Sequence, residues 1–253
     1  MVFDFEKHII HHMEDSYQWY LPFLPPITLP EPITLHTLMI FIGTALILFL
    51  FCFLYQKKSR VPSGITNLLE SIVIFVRDDI AIESMGEEDG KRFTPLLLTF
   101  FFFILILNLM GLIPVFATAT SNIYTTAPLA IITLLFMIFG AIMKNGLKGF
   151  IKVFVPSGVP IPVLFLVVPL EFLGLFIRPF ALMVRLFANM LGGHITISVL
   201  IGLSVLFLGV MTLPILFLVV FIYLMEVLIA FIQAYVFTLL SAMFIGMNYH
   251  PDH

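Results

Sequence analysis

Five ionisable side chains lie inside the two long apolar segments in the C-terminal part of the chain. They are Glu171, Arg178, Arg185, His194 and Glu226. An arginine near the middle of a bilayer costs about 2.5–3.5 kcal/mol on insertion scales, so each of these charges needs a compensating environment. Because residues seven apart return to nearly the same face of a helix, Glu171, Arg178 and Arg185 are predicted to form one polar stripe. Charges in such segments are typical of an ion or proton pathway.

A histidine and a glutamate are predicted to meet across the hairpin that these two segments form. If the helices turn near residue 210, His194 and Glu226 are equally far from the turn, and at that common depth they can share a hydrogen bond or a proton. Since the ordinary pKa of histidine is about 6.5, such a pair can load and release protons near neutral pH. Gln233 falls in depth between Arg185 and Asn189. Polar groups therefore lead from the pair toward the arginine.

Each of these residues also has a structural interpretation. Glu171 and Arg178 lie near one end of their segment, where an intrahelical ion pair or snorkelling to the interface explains them. A hydrogen bond that only joins two helices accounts for the His–Glu pair, and the two amides are explained in the same way by helix packing. Arg185 lies too deep for comfortable snorkelling. The functional interpretation therefore depends mainly on this arginine.

The composition requires that the elements carrying these residues span a membrane. Apolar residues make up 61% of the chain and charged residues 11%, against roughly 25% charged in soluble domains. There is no basic stripe with interleaved aromatics, so no nucleic-acid partner is expected. Cys52 is the one cysteine, which excludes a disulfide or a Cys-based metal site within the chain. There is no P-loop motif, so no nucleotide chemistry is expected of this chain itself.

No cofactor and no metal site are predicted. His8, His11 and His12 have the helical spacing of metal ligands. A histidine cluster in an exposed N-terminal arm is more often incidental, and we expect it to be so in this chain.

The apolar runs predict an all-α membrane protein with about five transmembrane helices and one amphipathic surface helix. A helix needs about 20 apolar residues to cross roughly 30 Å of hydrocarbon. The predicted parts are an extracytoplasmic arm at 1–34 and a single membrane domain at 35–253, with spans at about 35–55, 94–112, 127–143, 163–207 and 215–247 and a surface helix at about 65–82. The last two spans exceed a perpendicular crossing, so we expect a long tilted hairpin.

The basic residues predict the orientation of these spans. Nine of the twelve lie in the loops 56–93 and 144–152, which the positive-inside rule places in the cytoplasm. Five spans then put the N-terminus outside and the C-terminus inside. We also expect the acidic run Glu87–Asp89 to be a solvated loop and the run Phe100–Phe103 to face lipid.

Three motifs occur in the order and spacing of a known family. The first is Arg178–His194, RPFALMVRLFANMLGGH; the second is Glu226–Leu239, which contains QAYVFTL; the third is Asn108–Pro114, NLMGLIP, followed by Thr120–Asn122. From the second predicted span onward the chain resembles the a subunit of the F-type ATP synthase. Residues 1–60 match that family only in general layout.

The resemblance implies a proton-conducting stator subunit whose paired helices lie against a rotating ring of c subunits. Two aqueous half-channels would reach the ring carboxylates from opposite sides, with Arg185 at the position of the arginine that separates them. The other matches are His194 and Glu226 for the proton-uptake pair, Asn189 and Gln233 for polar groups near the arginine, and Glu171 for an acid near the exit. Further partners implied are b-type peripheral stalk subunits and the remaining ATP synthase subunits.

One position departs from part of this family. Some members carry an acid where this chain has Gly111. The outer route is therefore expected to depend on Asn108 and Asn122 as well as on the His–Glu pair. Arg178, near the cytoplasmic end of its span, is predicted to be an accessory residue.

Three alternatives stay open at this point. The same subunit coupled to Na⁺ is the nearest, and the sequence of the ring partner would decide it. A self-contained ion-coupled transporter would be expected to show inverted repeats and broken helices, which the chain lacks. An assembly scaffold without transport would leave the arginine without a purpose. A bacterial plasma membrane is favoured over the mitochondrial inner membrane.

Overall fold

The computed structural model describes residues 16–19, 27–31, 33–54, 64–113, 115–155, 160–207, 209 and 212–249. The strands are β1 (Gln18–Trp19) and β2 (Ile27–Thr28), and the helices are α1 (Leu35–Phe49), α2 (Ile65–Phe75), α3 (Glu83–Met85), α4 (Glu87–Leu112), α5 (Ile123–Val153), α6 (Ile161–Leu206) and α7 (Thr212–Tyr249). π-Helical turns at Leu50–Leu54 and Val76–Ile82 continue α1 and α2, and a 3-10 turn at Ala119–Ser121 precedes α5. The predicted histidine cluster at residues 8–12 lies outside the described residues.

Five of the described helices are long and apolar enough to cross a membrane. They are Leu35–Phe53, Glu87–Leu112, Ile123–Leu147, Ile161–Leu206 and Thr212–Tyr249. In the described residues the strands amount to one two-residue antiparallel pair, in which Gln18 faces Thr28 and Trp19 faces Ile27. The predicted all-α membrane protein with about five spans is confirmed. The tilt of the last two helices in a bilayer stays a prediction.

The acidic run before the second span is helical, so its prediction as a loop was wrong. Glu87, Glu88 and Asp89 form the first turn of α4, which therefore starts seven residues before the predicted span. Carboxylates are favourable at a helix N-terminus because they face its unpaired N–H groups and the positive end of its dipole. Lys91 adds an ion pair one turn later, with its Nζ 2.6 Å from Glu87 Oε1.

The phenylalanine run in α4 was predicted to face lipid, and this was wrong for three of its four members. Phe100, Phe101 and Phe102 are buried. Phe100 packs edge-on against Phe237 with ring centroids 5.6 Å apart, and Phe102 packs edge-on against Phe51 at 5.0 Å. The physical reason is the position of α4, because 67% of the apolar 18-residue stretch of this helix is buried inside the protein. A uniformly apolar helix has no sequence pattern that separates a lipid-facing side from a packed one.

The chain forms two compact units that are not continuous in sequence. Unit 1 draws its described residues from Met1–Leu54, Phe102–Thr125 and Arg185–Ala234, and unit 2 from Tyr55–Phe101, Thr126–Val184 and Tyr235–His253. Each of α4, α6 and α7 therefore contributes one end to each unit.

Unit 1 has a core in which α1 packs on the end of α4. Met39 is fully buried beside Leu107 and Met110. Gly43 permits this approach, since a Cβ there would lie 2.7 Å from Leu107 Cδ2. The arm is attached to the same unit, because Trp19 Nε1 donates a 2.8 Å hydrogen bond to the Val115 carbonyl.

Unit 2 packs α2, α3 and α5 with the remaining parts of the long helices. Thr133 and Ser241 hydroxyls lie 3.2 Å apart across two buried faces. Tyr249 at the end of α7 is buried beside Gly140, where a Cβ would lie 2.5 Å from the Tyr249 ring. Close helix contacts through small and hydroxyl residues are the usual means of packing helices in lipid.

Candidate functional site

The hairpin end of unit 1 brings the predicted uptake residues to one level. Residues 185–206 of α6 and 212–234 of α7 are joined through a turn in which Thr212 Oγ1 donates to the Phe207 carbonyl at 3.0 Å and accepts from the Gly209 N–H at 3.2 Å. Gly209 has a φ of 125°, a conformation that favours glycine. The turn therefore fixes the register of the two helices.

Glu226 lies directly against Gly193, the residue before His194. A Cβ built at Gly193 would overlap the Glu226 carboxyl group, so any larger residue at this position would force that carboxyl group to move. The contact places Glu226 level with the His194 region, as the hairpin geometry predicts. By the same register, Arg185 is level with Ala234, and Gln233 lies beside that level.

The Glu226 carboxyl group is buried without a hydrogen bond in the described part of the chain. Glu226 as a whole is 6% exposed, and neither of its carboxyl oxygens has a hydrogen-bond partner among the described residues. The direct hydrogen bond with His194 that the sequence left open is therefore not formed. An unpaired buried carboxyl group is costly, and water or an ion is the usual reason that such a group is retained.

His194 instead contacts the connection between α4 and α5. Its Nε2 lies 2.6 Å from Thr118 Oγ1. Thr118 is itself held in place, because its carbonyl accepts a 2.7 Å hydrogen bond from Ser121 Oγ and its hydroxyl lies 3.3 Å from the Gly111 carbonyl. A hydroxyl that both donates and accepts is a suitable neighbour for an imidazole that exchanges a proton.

The remaining amides predicted for the route differ in their environments. Asn108 is fully buried, and neither of its amide atoms has a hydrogen-bond partner among the described residues. Asn122 Nδ2 lies 3.1 Å from His36 Nδ1, and its Oδ1 accepts a 2.9 Å hydrogen bond from the Tyr124 N–H. Gln233 is buried and Asn189 is exposed. Asn108 and Asn122 both belong to unit 1, and so do Gln233 and Asn189.

Arg185 is exposed on α6. It makes no hydrogen bond or ion pair with any residue that the structure describes. An arginine always carries its charge and five N–H donors. Inside an apolar helix, such a group requires water or a partner from outside this chain.

Glu171 and Arg178 form an ion pair in unit 2. Arg178 Nη2 lies 3.0 Å from Glu171 Oε2, and the guanidinium lies 6.0 Å from the centre of the Phe244 ring. Both side chains are partly exposed. The pair is the intrahelical arrangement that the structural interpretation of these two residues predicted, and its part in ion exit stays a prediction.

Three residues of the site were missed by reasoning from sequence. Thr118 contacts His194, His36 contacts Asn122, and the Tyr223 hydroxyl donates to the Leu112 carbonyl. A threonine in an uncharged connection gives no signal by its type. His36 did give one, because it is an ionisable residue at the very start of an apolar span.

Fold and site together define a multi-span helical membrane protein with ionisable groups inside its spans, the class to which ion-transport subunits belong. A family model described as ATP synthase A chain matches residues 37–246. The chain thus belongs to the ATP synthase A chain family, which confirms the resemblance seen in its motifs. Members of this family are membrane components of the ATP synthase complex and not its catalytic subunits.

Individual relatives agree with the family assignment. The chain is 45% identical to ATP synthase subunit a of Chloroherpeton thalassium, over 96% of this chain and 77% of that protein. It is 44% identical to ATP synthase subunit a of Anaeromyxobacter dehalogenans strain 2CP-C, over 87% of this chain and 59% of that protein. For ATP synthase subunit a of Myxococcus xanthus the identity is 43%, over 87% of this chain and 76% of that protein.

Proposed function

We propose that this chain is the proton-conducting stator subunit of the membrane sector of an F-type ATP synthase. Two half-channels lead from opposite sides of the membrane to a carboxylate on each subunit of a rotating c ring. Arg185 faces the passing carboxylate and separates the half-channels. Protons that load the ring on one side and leave on the other drive its rotation.

The observation that carries this proposal is the exposed Arg185 without a partner in the described chain. A fixed cation favours the ionised form of a carboxylate that approaches it. It also repels cations that would pass directly between the half-channels. A carboxylate that arrives from another subunit gives Arg185 the partner that its own chain does not supply, and it does so only transiently.

The polar cluster of unit 1 supports a route for proton uptake. His194, with the Thr118 hydroxyl at 2.6 Å, and the buried Glu226 provide two titratable groups at one level. Asn108 and Asn122 supply further polar groups in the same unit, as the outer route requires. Gln233 and Asn189 then lie between this level and Arg185 along their helices. Water between these groups would complete hydrogen bonds that the buried side chains lack.

The Glu171–Arg178 pair of unit 2 supports a proton-release role near the other side of the membrane. Glu171 is a partly exposed carboxyl group, so a proton that reaches it can pass on to water. Arg178 is accessory in this scheme, because its charge is already neutralised by Glu171 at 3.0 Å.

The choice of proton over Na⁺ rests on the type of residue in unit 1. An imidazole carries a proton near neutral pH, whereas Na⁺ favours oxygen ligands. The ring sequence is the independent test of this choice. The proposed partners are the c ring and b-type stalk subunits in a bacterial plasma membrane, with the N-terminus outside and the C-terminus in the cytoplasm by the distribution of Lys and Arg.

The function is tested by Arg185→Ala in the complete ATP synthase reconstituted into vesicles. We expect ATP-driven proton pumping and proton-driven ATP synthesis to fall to background, while the subunit still inserts and the complex assembles. Passive proton flux through the membrane sector should rise, because no charge then separates the half-channels. Normal coupled flux in Arg185→Ala would overturn the proposal.

A further inference from the structure

A second histidine of unit 1, His36, is buried at the start of α1. Its side chain is 3% exposed, and it lies within the first turn of the helix that follows the Thr34 N-cap. Its Nδ1 is 3.1 Å from Asn122 Nδ2. A titratable side chain inside a membrane span is by default a candidate for function, and Asn122 belongs to the connection that also reaches His194.

The hydrogen bonds of Asn122 fix the protonation state of this pair. The Tyr124 N–H donates to Asn122 Oδ1 at 2.9 Å, so the amide oxygen faces the start of α5 and the amide nitrogen faces His36. An amide nitrogen can only donate. His36 Nδ1 is therefore the acceptor, and the imidazole is neutral with its proton on Nε2.

Proton binding at His36 is incompatible with this arrangement. A proton on Nδ1 makes that atom a donor, which then faces the N–H donors of Asn122. The amide has to turn over so that Oδ1 accepts from the imidazolium. This removes the oxygen that caps the Tyr124 N–H at the start of α5. The protonation state of His36 is thus coupled to the conformation of Asn122.

The segment Thr118–Asn122 contacts both histidines. Thr118 Oγ1 lies 2.6 Å from His194 Nε2, and Asn122 contacts His36 four residues later. Between them, Ser121 Oγ donates to the Thr118 carbonyl at 2.7 Å, and the Asn122 N–H donates to the Ala119 carbonyl at 3.2 Å. A rearrangement of Asn122 therefore acts on the short turn that holds Thr118 against His194.

Other ionisable groups of unit 1 bear on any dependence on pH. Among the residues that the structure describes, they are Tyr17 and Glu31 in the arm, Cys52 at the far end of α1, Tyr124 at the start of α5, Arg185 and His194 on α6, and Tyr223 and Glu226 on α7. The α4 segment 102–112 contributes no ionisable side chain. Of these side chains, His194 is the one that contacts the segment Thr118–Asn122, which His36 also contacts.

We infer that His36 is a second titratable residue of the proton-uptake route, and that its protonation acts through Asn122 on the hydrogen bonding of His194. The inference rests on the proposed function, because it assigns a further residue to the same route. His36 would act as a positioning residue for His194 as well as a proton acceptor.

The test is the rate of ATP synthesis by the complete complex in vesicles, measured against the pH on the uptake side. His36→Asn places an amide oxygen near the position of Nδ1, so it keeps an acceptor for Asn122 but does not titrate. We expect the logarithm of the rate to change less steeply with the uptake-side pH in this variant, with a slope smaller by about one, because one titrating group is lost. Asn122→Asp keeps an oxygen for the Tyr124 N–H and gives a protonated His36 an anionic partner, so its profile should move to higher pH. Thr37→Ser, one residue further along α1, is the matched control and should keep the parental profile.

Unchanged profiles in both His36→Asn and Asn122→Asp would mean that the pair is only a structural hydrogen bond, and the inference would be wrong. If one variant fails to assemble, the other still decides the question. Arg185→Ala is measured in the same vesicles. Normal coupled flux in that variant would overturn the proposed function, whereas loss of flux there together with unchanged His36 and Asn122 profiles would overturn the inference alone.

Discussion

Selected charged groups of unit 1 and unit 2 differ in whether their own unit supplies a partner. Among the described residues of unit 2, Arg77, Lys91, Lys144 and Arg178 each contact a carboxylate of the same unit. In unit 1, Arg185 has no such partner in the described chain. The carboxyl oxygens of Glu226 likewise have no hydrogen-bond partner there.

The difference separates structural charges from working ones. A charge that already has its counter-ion cannot exchange it without a cost, so the pairs that Arg77, Lys91 and Lys144 form in unit 2 contribute to the fold and to the surface. An unpaired charge inside an apolar segment destabilises a protein unless water or a partner compensates it. Unit 1 keeps its unpaired groups where the proposed mechanism brings water and a ring carboxylate.

The largest effect is expected when the cation of unit 1 is kept but its shape is changed. Arg185→Lys replaces a planar guanidinium with a compact ammonium that can lose its proton when it is desolvated. Coupled proton flux in vesicles should fall close to background although the variant assembles. Retention of more than half of the parental flux would mean that any cation suffices, and the guanidinium geometry would lose its role.

A smaller but still strong effect is expected from filling the space beside Glu226. Gly193→Ala puts a methyl group where the Glu226 carboxyl lies, whereas Gly192 has no heavy atom within 4 Å of its Cβ position. Misplacing a reacting group by about 1 Å can cost on the order of a hundredfold in rate, and we expect a loss of flux approaching that size for Gly193→Ala. Gly192→Ala is the matched control. Equal flux in the two variants would remove the steric argument.

The equivalent change in unit 2 should affect stability and leave transport intact. Gly140→Ala places a Cβ 2.5 Å from the buried Tyr249 ring. Overpacking of this kind costs about 1–3 kcal/mol, and thermal unfolding of the complex in detergent should report it. Complexes that assemble should retain coupled flux. Loss of flux without loss of stability would show that the contact between Gly140 and Tyr249 itself takes part in transport.

The smallest effect is expected at the exposed pair of unit 2. The hydrogen bond from Arg77 holds the pKa of Asp78 below its ordinary value. A lowered folded-state pKa stabilises the protein above the pKa of the unfolded chain, and that stability is lost as the pH falls through the folded-state value. Asp78→Asn should therefore lower the melting temperature slightly at neutral pH and not at all in strong acid. Both side chains are more than 40% exposed, so a large change would contradict the screening argument.

Most of the fold follows from apolar runs and helix-end chemistry. The five long helices were predicted from runs that can cross a bilayer. What could not be predicted is which side of a uniformly apolar helix is packed, as the burial of Phe100 shows. The helical acidic turn at Glu87 was missed because charge was taken as a sign of a loop, although carboxylates also stabilise helix N-termini.

The site could be predicted only in part, for a related reason. The common level of Glu226 and the His194 region follows from residue type and from the symmetry of a hairpin about its turn, whereas the contact with Gly193 does not. The Thr118 contact with His194 and the His36 contact with Asn122 depend on how an uncharged connection folds back on the helices. No periodicity governs such a connection, so its hydrogen bonds become visible only in three dimensions.

The most direct test of the account compares Arg178 and Arg185, which lie seven residues apart on α6. Proton-driven ATP synthesis is measured for Arg178→Ala and Arg185→Ala in the same preparation of reconstituted complexes. We predict partial coupling for Arg178→Ala, because the charge of Arg178 is already neutralised by Glu171, and background activity for Arg185→Ala. Equal losses in the two variants, or a greater loss for Arg178→Ala, would contradict the distinction between the paired charges of unit 2 and the unpaired charge of unit 1.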